Sequence, residues 1–203
     1  ITNSSVDNIS IKGLDCVAGF VAENTNIISS SYYAGGNINA GVSADNVDTL
    51  GASGFVFYNS GRIYYSYSAG ARYEVDNKEI STSGANLNKF TGASYSDDLP
   101  VRLRSTGVIS ESGNVSAFVY SNSGSINDCY SNILVYGKIS SGFVFENSNI
   151  INNVYTLSSV YSSDANNNPF ISLVELNESA NNTGKITNAY YVKAIQSDLG
   201  GIS

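Results

Sequence analysis

The side chains of this sequence that could do chemistry are its carboxylates. There are 17 Asp and Glu against 10 Lys and Arg, and histidine is absent. Without the one side chain that titrates unperturbed near neutrality, Ser-His-Asp and Cys-His nucleophilic sites cannot be assembled, and zinc sites built on imidazole go with them. A carboxylate acid and base acting on a glycosidic bond remain as an option, from Asp97-Asp98 with Glu111 or from Asp45 with Asp48. Adjacent strand residues point to opposite faces, however, and no Asp or Glu returns at an inward position of the repeat described below. The expectation is therefore a chain that is not an enzyme. No Asp-x-Asp-x-Asp-Gly loop is present, so neither calcium nor any other cofactor is expected. A net charge of −7 argues against nucleic acid as a partner, and no apolar run approaches the roughly 18 residues of a membrane span.

Polarity is carried instead by amides and hydroxyls, with 26 Asn and 34 Ser against a charged content of 13%. An internal repeat accounts for much of this. Gly19-Phe20-Val21 leads through Asn24, Asn26 and Ile28 to Tyr32, and Gly54-Phe55-Val56 leads through Asn59, Gly61 and Ile63 to Tyr67 with the same spacing. A third copy runs Ala117-Phe118-Val119, Asn122, Gly124, Ile126, Tyr130, and a fourth runs Gly142-Phe143-Val144, Asn147, Asn149, Ile151, Tyr155. The fifth keeps the second half, Asn182, Gly184, Ile186 and Tyr190.

Each slot of G-F-V-x-x-N-x-[GN]-x-I-x-x-x-Y has a physical reading. Phe-Val opens a strand by composition, and Ile opens the next. Between them, Asn26, Gly61, Gly124, Asn149 and Gly184 are the two residue types that most readily accept positive φ, which predicts a left-handed corner there. The preceding Asn24, Asn59, Asn122, Asn147 and Asn182 can close Asx-turns and, in stacked coils, bond one another as a ladder. Ser31, Ser66, Cys129, Val154 and Ala189 form a small slot before the Tyr. Parity leaves open whether Tyr32, Tyr67, Tyr130, Tyr155 and Tyr190 face in or out. The spacing predicts an all-β, right-handed parallel β-helix of about 25-residue coils spanning 1–203, because helical repeats need a 3.6-residue period that is not found.

These residues resemble the GLUG repeat, close to Gly-Gly-Leu-Val-Gly-x-Asn-x-Gly-x-Ile-x-Asn-x-Tyr, found in large bacterial surface and secreted proteins. Filamentous-haemagglutinin-like adhesins and the non-catalytic part of immunoglobulin-A-specific metallopeptidases carry it. Phe stands here where Leu is usual, and Ala22, Phe57, Tyr120 or Phe145 where the motif has Gly. The resemblance implies a β-solenoid in an extracellular protein, secreted or at the cell surface, with flanking domains and a protein or glycan partner on a cell surface. The start at Ile1 and the absence of Met fit a section of a longer chain, and cleavage of a leader would look the same. The expected function is a non-catalytic structural and binding module of an adhesin-like protein. An accessory β-helix of a large secreted protease is the second reading, and a polysaccharide-processing β-helix the third.

One interval departs from the repeat. Residues 71–104 hold Arg72, Lys78, Lys89, Arg102 and Arg104, half of all the basic residues, and read as an irregular insertion on the surface. The tyrosines could form a platform for sugar rings, although stacking between coils explains their recurrence without a ligand. Cys16 and Cys129 lie too many coils apart for a disulfide and are expected to be free, largely buried thiols.

Overall fold

A computed structural model describes residues 1–41, 51–70, 74–75, 78–79, 107–110, 113–162 and 182–191. The described residues are all-β, and the chain visits four parallel sheets in a fixed rotation. The first sheet holds Ser5–Asp7, Ile27–Ser29 with Tyr32–Ala34, Arg62–Tyr64 with Tyr67–Ala69, Ser125–Asn132, Ile150–Thr156 and Lys185–Tyr191. The second stacks Ile11–Gly13, Asn37–Ala40, Gly107–Ser110, Leu134–Gly137 and Ser159–Ser162. Val17–Ala18, Gly51–Ser53, Asn114–Ser116 and Ser140–Ser141 make the third, and Val21–Asn24, Val56–Asn59, Val119–Asn122 and Val144–Asn147 the fourth. This is the arrangement of a parallel β-helix, whose enclosed interior gives parallel sheets the cover they require. Within the 71–104 interval, Glu74–Val75 and Lys78–Glu79 pair as an antiparallel hairpin.

Register follows the repeat slot by slot. Ile28 pairs with Ile63, Ile63 with Ile126, Ile126 with Ile151 and Ile151 with Ile186. Tyr32, Tyr67, Tyr130, Tyr155 and Tyr190 are aligned in the same way. The N-terminus adds a half-copy that the sequence pattern did not reveal. Thr2 bridges Ser29, Ser5 pairs with Tyr32, and the Ser4 N–H donates to Ser31 Oγ at 3.2 Å. With Ser5 in the Tyr slot, the most recognisable residue of that half is missing.

Inside, Phe20, Phe55, Phe118 and Phe143 stack with ring centroids 4.8, 5.0 and 4.9 Å apart. Ile28, Ile63, Ile126 and Ile151 line the first sheet, and Ile38, Val108, Val135 and Val160 the second. Hydroxyls brace the interior: Ser68 donates to the Ala117 carbonyl at 2.6 Å, and Ser131 and Thr156 to that of Gly142 at 2.7 and 2.6 Å. The departures from the motif also have a place. Phe57, Tyr120 and Phe145 form a second buried cluster with Cys16, Ala18 and Ile139, so the bulk that replaces Gly at those positions fills space instead of protruding.

The left-handed corner is not where the sequence pattern put it. None of Asn26, Gly61, Gly124, Asn149 and Gly184 has positive φ. In this sheet the left-handed residues are Asn3, Ser30, Tyr65, Asp128, Asn153 and Asn188, with φ from 48° to 55°, two positions beyond the repeat's Ile; Asn8 and Cys16 take the same conformation elsewhere. Glycine serves a different need in the expected slot. A Cβ at Gly124 would run into the Gly61 carbonyl oxygen, and one at Gly184 into that of Asn149, so close approach between coils favours a residue without a side chain. Gly124→Ala is expected to cost about 1–3 kcal/mol, through overpacking against the backbone. Urea unfolding of the variant reads this as a lowered midpoint; an unchanged midpoint would mean the coils separate freely there.

Candidate functional site

The repeat's polar residues meet in one continuous ladder. Asn24 Nδ2 donates to Asn59 Oδ1, Asn59 Nδ2 to Asn122 Oδ1 and Asn122 Nδ2 to Asn147 Oδ1, each at 2.7 Å, and Asn147 Nδ2 donates to Asn182 Oδ1 at 2.9 Å. Asn59, Asn122 and Asn147 are each 1% exposed. Their amides also tie the corner that follows. The Asn26 and Asn149 N–H groups donate to Asn24 and Asn147 Oδ1 at 3.3 and 3.4 Å, and the Gly124 carbonyl accepts from Asn122 at 3.2 Å. An amide suits such a column because it donates and accepts at once and carries no charge into the interior. A carboxylate would lack the donor, and a hydroxyl would lack the reach.

On the opposite side of the following strand, the repeat tyrosines point outward. Tyr32, Tyr67 and Tyr130 are half-buried, and Tyr155 and Tyr190 are exposed. Successive rings from Tyr32 to Tyr155 lie 4.7, 4.7 and 5.0 Å apart, within 10° of parallel. Stacking of this kind occupies both faces of Tyr67 and Tyr130, leaving only their edges open. A sugar ring stacks on an aromatic face, so the middle of the ladder offers it no platform. Burial pushes the Tyr67 and Tyr130 hydroxyls up from their ordinary pKa, with neighbouring tyrosines adding to the effect.

The slot before the tyrosine also acts between coils. Ser31 Oγ donates to the Ser29 carbonyl at 2.8 Å, and Ser66 Oγ accepts the Ser31 N–H at 3.2 Å. Where serine stands, the sheet is interrupted between Ser29 and Tyr32 and between Tyr64 and Tyr67. Where Cys129, Val154 and Ala189 stand, one strand runs through the corner. The serine hydroxyl takes the part a strand carbonyl would play.

Both cysteines are free. Cys129 is buried as expected, its thiol donating to the Asn127 carbonyl at 3.0 Å. Cys16 departs from the expectation: it is half-buried at a left-handed position, with its sulfur 3.9 Å from the Tyr58 hydroxyl. Desolvation pushes the Cys129 thiol up to about 12, the Ser66 backbone N–H offsetting it in part, and also raises Cys16. Burial likewise lifts the hydroxyl of Tyr33, which is wholly inside, to about 12. Groups held neutral in this way stabilise the fold below their unfolded pKa, and that stability is lost as pH rises through the window towards 12. The chain should therefore lose stability from about pH 9 upward. An aromatic-disulfide thiol reagent at pH 8 should modify Cys16 first and Cys129 only on unfolding; equal rates would contradict the burial of Cys129.

Asp45, Asp48, Asp97, Asp98 and Glu111, the carboxylates considered for catalysis, lie outside the described residues, as do Arg72, Lys89, Arg102 and Arg104. Among the described residues, no group of three or more Cys, Asp or Glu could hold a metal ion. The left-handed column, which the sequence pattern missed, did carry a signal. Asn3, Asp128, Asn153 and Asn188 are the residue types that accept this conformation, but Ser30 and Tyr65 obscured the pattern.

Compared with known protein families, curated proteins and solved structures, the chain matches none. The likeness to the GLUG repeat rests on the residues of the motif themselves.

Proposed function

We propose that this chain is a non-catalytic scaffold and binding module of a bacterial surface or secreted adhesin-like protein, built as a right-handed β-helix with a basic coil of about 25 residues. The observation that carries this reading is the use made of the repeat. Its Asn, Gly, Phe, Ile and Tyr are taken up by contacts between coils, in the amide ladder, the close-packed glycine slots and the stacked rings. A pattern maintained for coil-to-coil contact builds length and stiffness, and leaves recognition to the outer rim and to insertions carried on it. Spacings between ladder partners of 35, 63, 25 and 35 residues support a basic coil near the shortest, with inserted residues in the others.

Purified chain incubated with host cells and matrix proteins, and in parallel with polysaccharides under a reducing-sugar assay, tests the reading. Saturable binding without sugar release is the expected result. Polysaccharide turnover that disappears in Asp97→Asn or Asp98→Asn would replace it with the polysaccharide-processing reading. A His-Glu-x-x-His motif elsewhere in a parent chain would favour an accessory region of a secreted protease.

A further inference from the structure

Tyr65 is out of place in its column. The left-handed corner that it occupies is held in the other coils by Asn3, Ser30, Asp128, Asn153 and Asn188, small polar residues that tolerate positive φ or lose little by it. Tyr65 adopts φ 52° and leaves 63% of its surface in solvent. A bulky side chain in this region is strained, and burial does not compensate. The fold needs the left-handed corner but not a tyrosine in it, and a strained residue kept where a tolerant one would serve is the kind found at binding sites.

The surroundings of Tyr65 are chemically specific. Its ring meets that of Tyr64 edge to face, with centroids 5.4 Å apart and planes at 85°. An edge-to-face contact covers at most one face of the Tyr65 ring, in contrast to the ladder rings Tyr67 and Tyr130. Tyr64 is itself an aromatic in a column otherwise made of Ser29, Asn127, Asn152 and Thr187. The adjacent coil is held by the hydrogen bond from Tyr65 N–H to the Asn127 carbonyl, and it places Asp128 beside Tyr65. Asp128 Oδ1 accepts from Asn153 Nδ2, and no other hydrogen bond to that carboxylate is found among the described residues. Exposed Ser30 flanks Tyr65 on the other side.

We infer that Tyr65, with Tyr64, Asp128 and Ser30, forms a subsite for a neutral saccharide ring. The apolar C–H face of a pyranose stacks on the open face of Tyr65, as its C–H groups meet the electron-rich ring. The Asp128 carboxylate accepts from sugar hydroxyls, and the Ser30 hydroxyl can donate or accept. Arg62, whose strand lies in the same coil, is set apart from the corner by Ile63 and Tyr64, so among the described residues of this coil no cation sits at the corner to pair with an acidic sugar. The inference rests on the binding reading above and names its ligand class.

The test uses the whole chain against an array of neutral and acidic oligosaccharides, followed by calorimetric titration with neutral hexose and N-acetylhexosamine tetrasaccharides. Wild type should bind at least one neutral tetrasaccharide. Tyr65→Asn should weaken that binding about tenfold or more, because the stacking face is gone. The same substitution should raise Tm by about 2–4 °C, because asparagine accepts the left-handed conformation. Tyr65→Phe, which keeps the face, should retain most of the affinity. A lowered Tm in Tyr65→Asn would make the ring a support of the fold and overturn the proposal. Neutral-saccharide binding unchanged in Tyr65→Asn would overturn this subsite while leaving the binding module in place. Binding of cells or proteins with no saccharide recognised would overturn the ligand class alone, and no binding of any kind would remove the broader reading too.

Discussion

Asn122→Leu should unfold at a much lower urea concentration than wild type, with a loss of about 2–5 kcal/mol. Leucine has the same branching and number of side-chain heavy atoms as asparagine, so the effect comes chiefly from the lost hydrogen bonds, with some overpacking from the bulkier methyls. Asn122 lies midway along the ladder, accepting from Asn59 and donating to Asn147, and all three are 1% exposed. Removing its amide leaves Asn59 Nδ2 without its acceptor and deprives Asn147 Oδ1 of its strongest donor, where water cannot replace either. Each buried polar group so stranded costs about 1–3 kcal/mol, partly offset by the added apolar burial of leucine.

Asn122→Asp separates geometry from charge. The carboxylate keeps the acceptor for Asn59 but has no donor for Asn147 unless it is protonated. Burial raises the folded pKa of such a group above its unfolded value of about 3.9. The proton-linked stability is then present below that value and lost as pH rises towards the folded pKa. The variant should thus stand closer to wild type at pH 4 than at pH 7. Equal deficits at both pH values would show that the amide ladder contributes shape alone.

The ladder also marks how far the sequence could be read. Parallel all-β architecture was legible because identical slots recur with identical residues, and stacking like on like is the arrangement that satisfies them all. The orientation of the tyrosines was not legible, since a bend between Ile and Tyr breaks the alternation from which facing is inferred. That bend is the left-handed residue at Ser30, Tyr65, Asp128, Asn153 and Asn188. Glycine drew attention to the wrong corner for an understandable reason. Its lack of a Cβ serves both positive φ and close approach, and sequence cannot tell one need from the other. Tyr65 is one of 15 tyrosines that could have formed a platform for sugar rings, and only its backbone conformation sets it apart from those of the ladder.

Phe118→Ala should be among the most damaging changes in the interior, costing about 3–5 kcal/mol. Its ring is fully buried between Phe55 and Phe143, so truncation opens a cavity and removes a stacking partner from two neighbours at once. Phe118→Leu keeps most of the volume and should cost about 1.5 kcal/mol or less, consistent with leucine being usual in the motif that this slot resembles. The consequences of the alanine variant go beyond the lost energy. A stack in which each coil touches only its neighbours unfolds as a unit only while every interface is strong enough to couple the two sides. Phe118 sits in a middle coil, so weakening it loosens the coils before it from those after it. Urea unfolding of Phe118→Ala should accordingly show a reduced m-value or two resolved transitions, whereas an end-coil truncation such as Phe20→Ala should leave a single one. A single transition with wild-type m in Phe118→Ala would mean that the coils are coupled mainly through the amide ladder and the outer tyrosines, and that the interior rings supply stability without cooperativity.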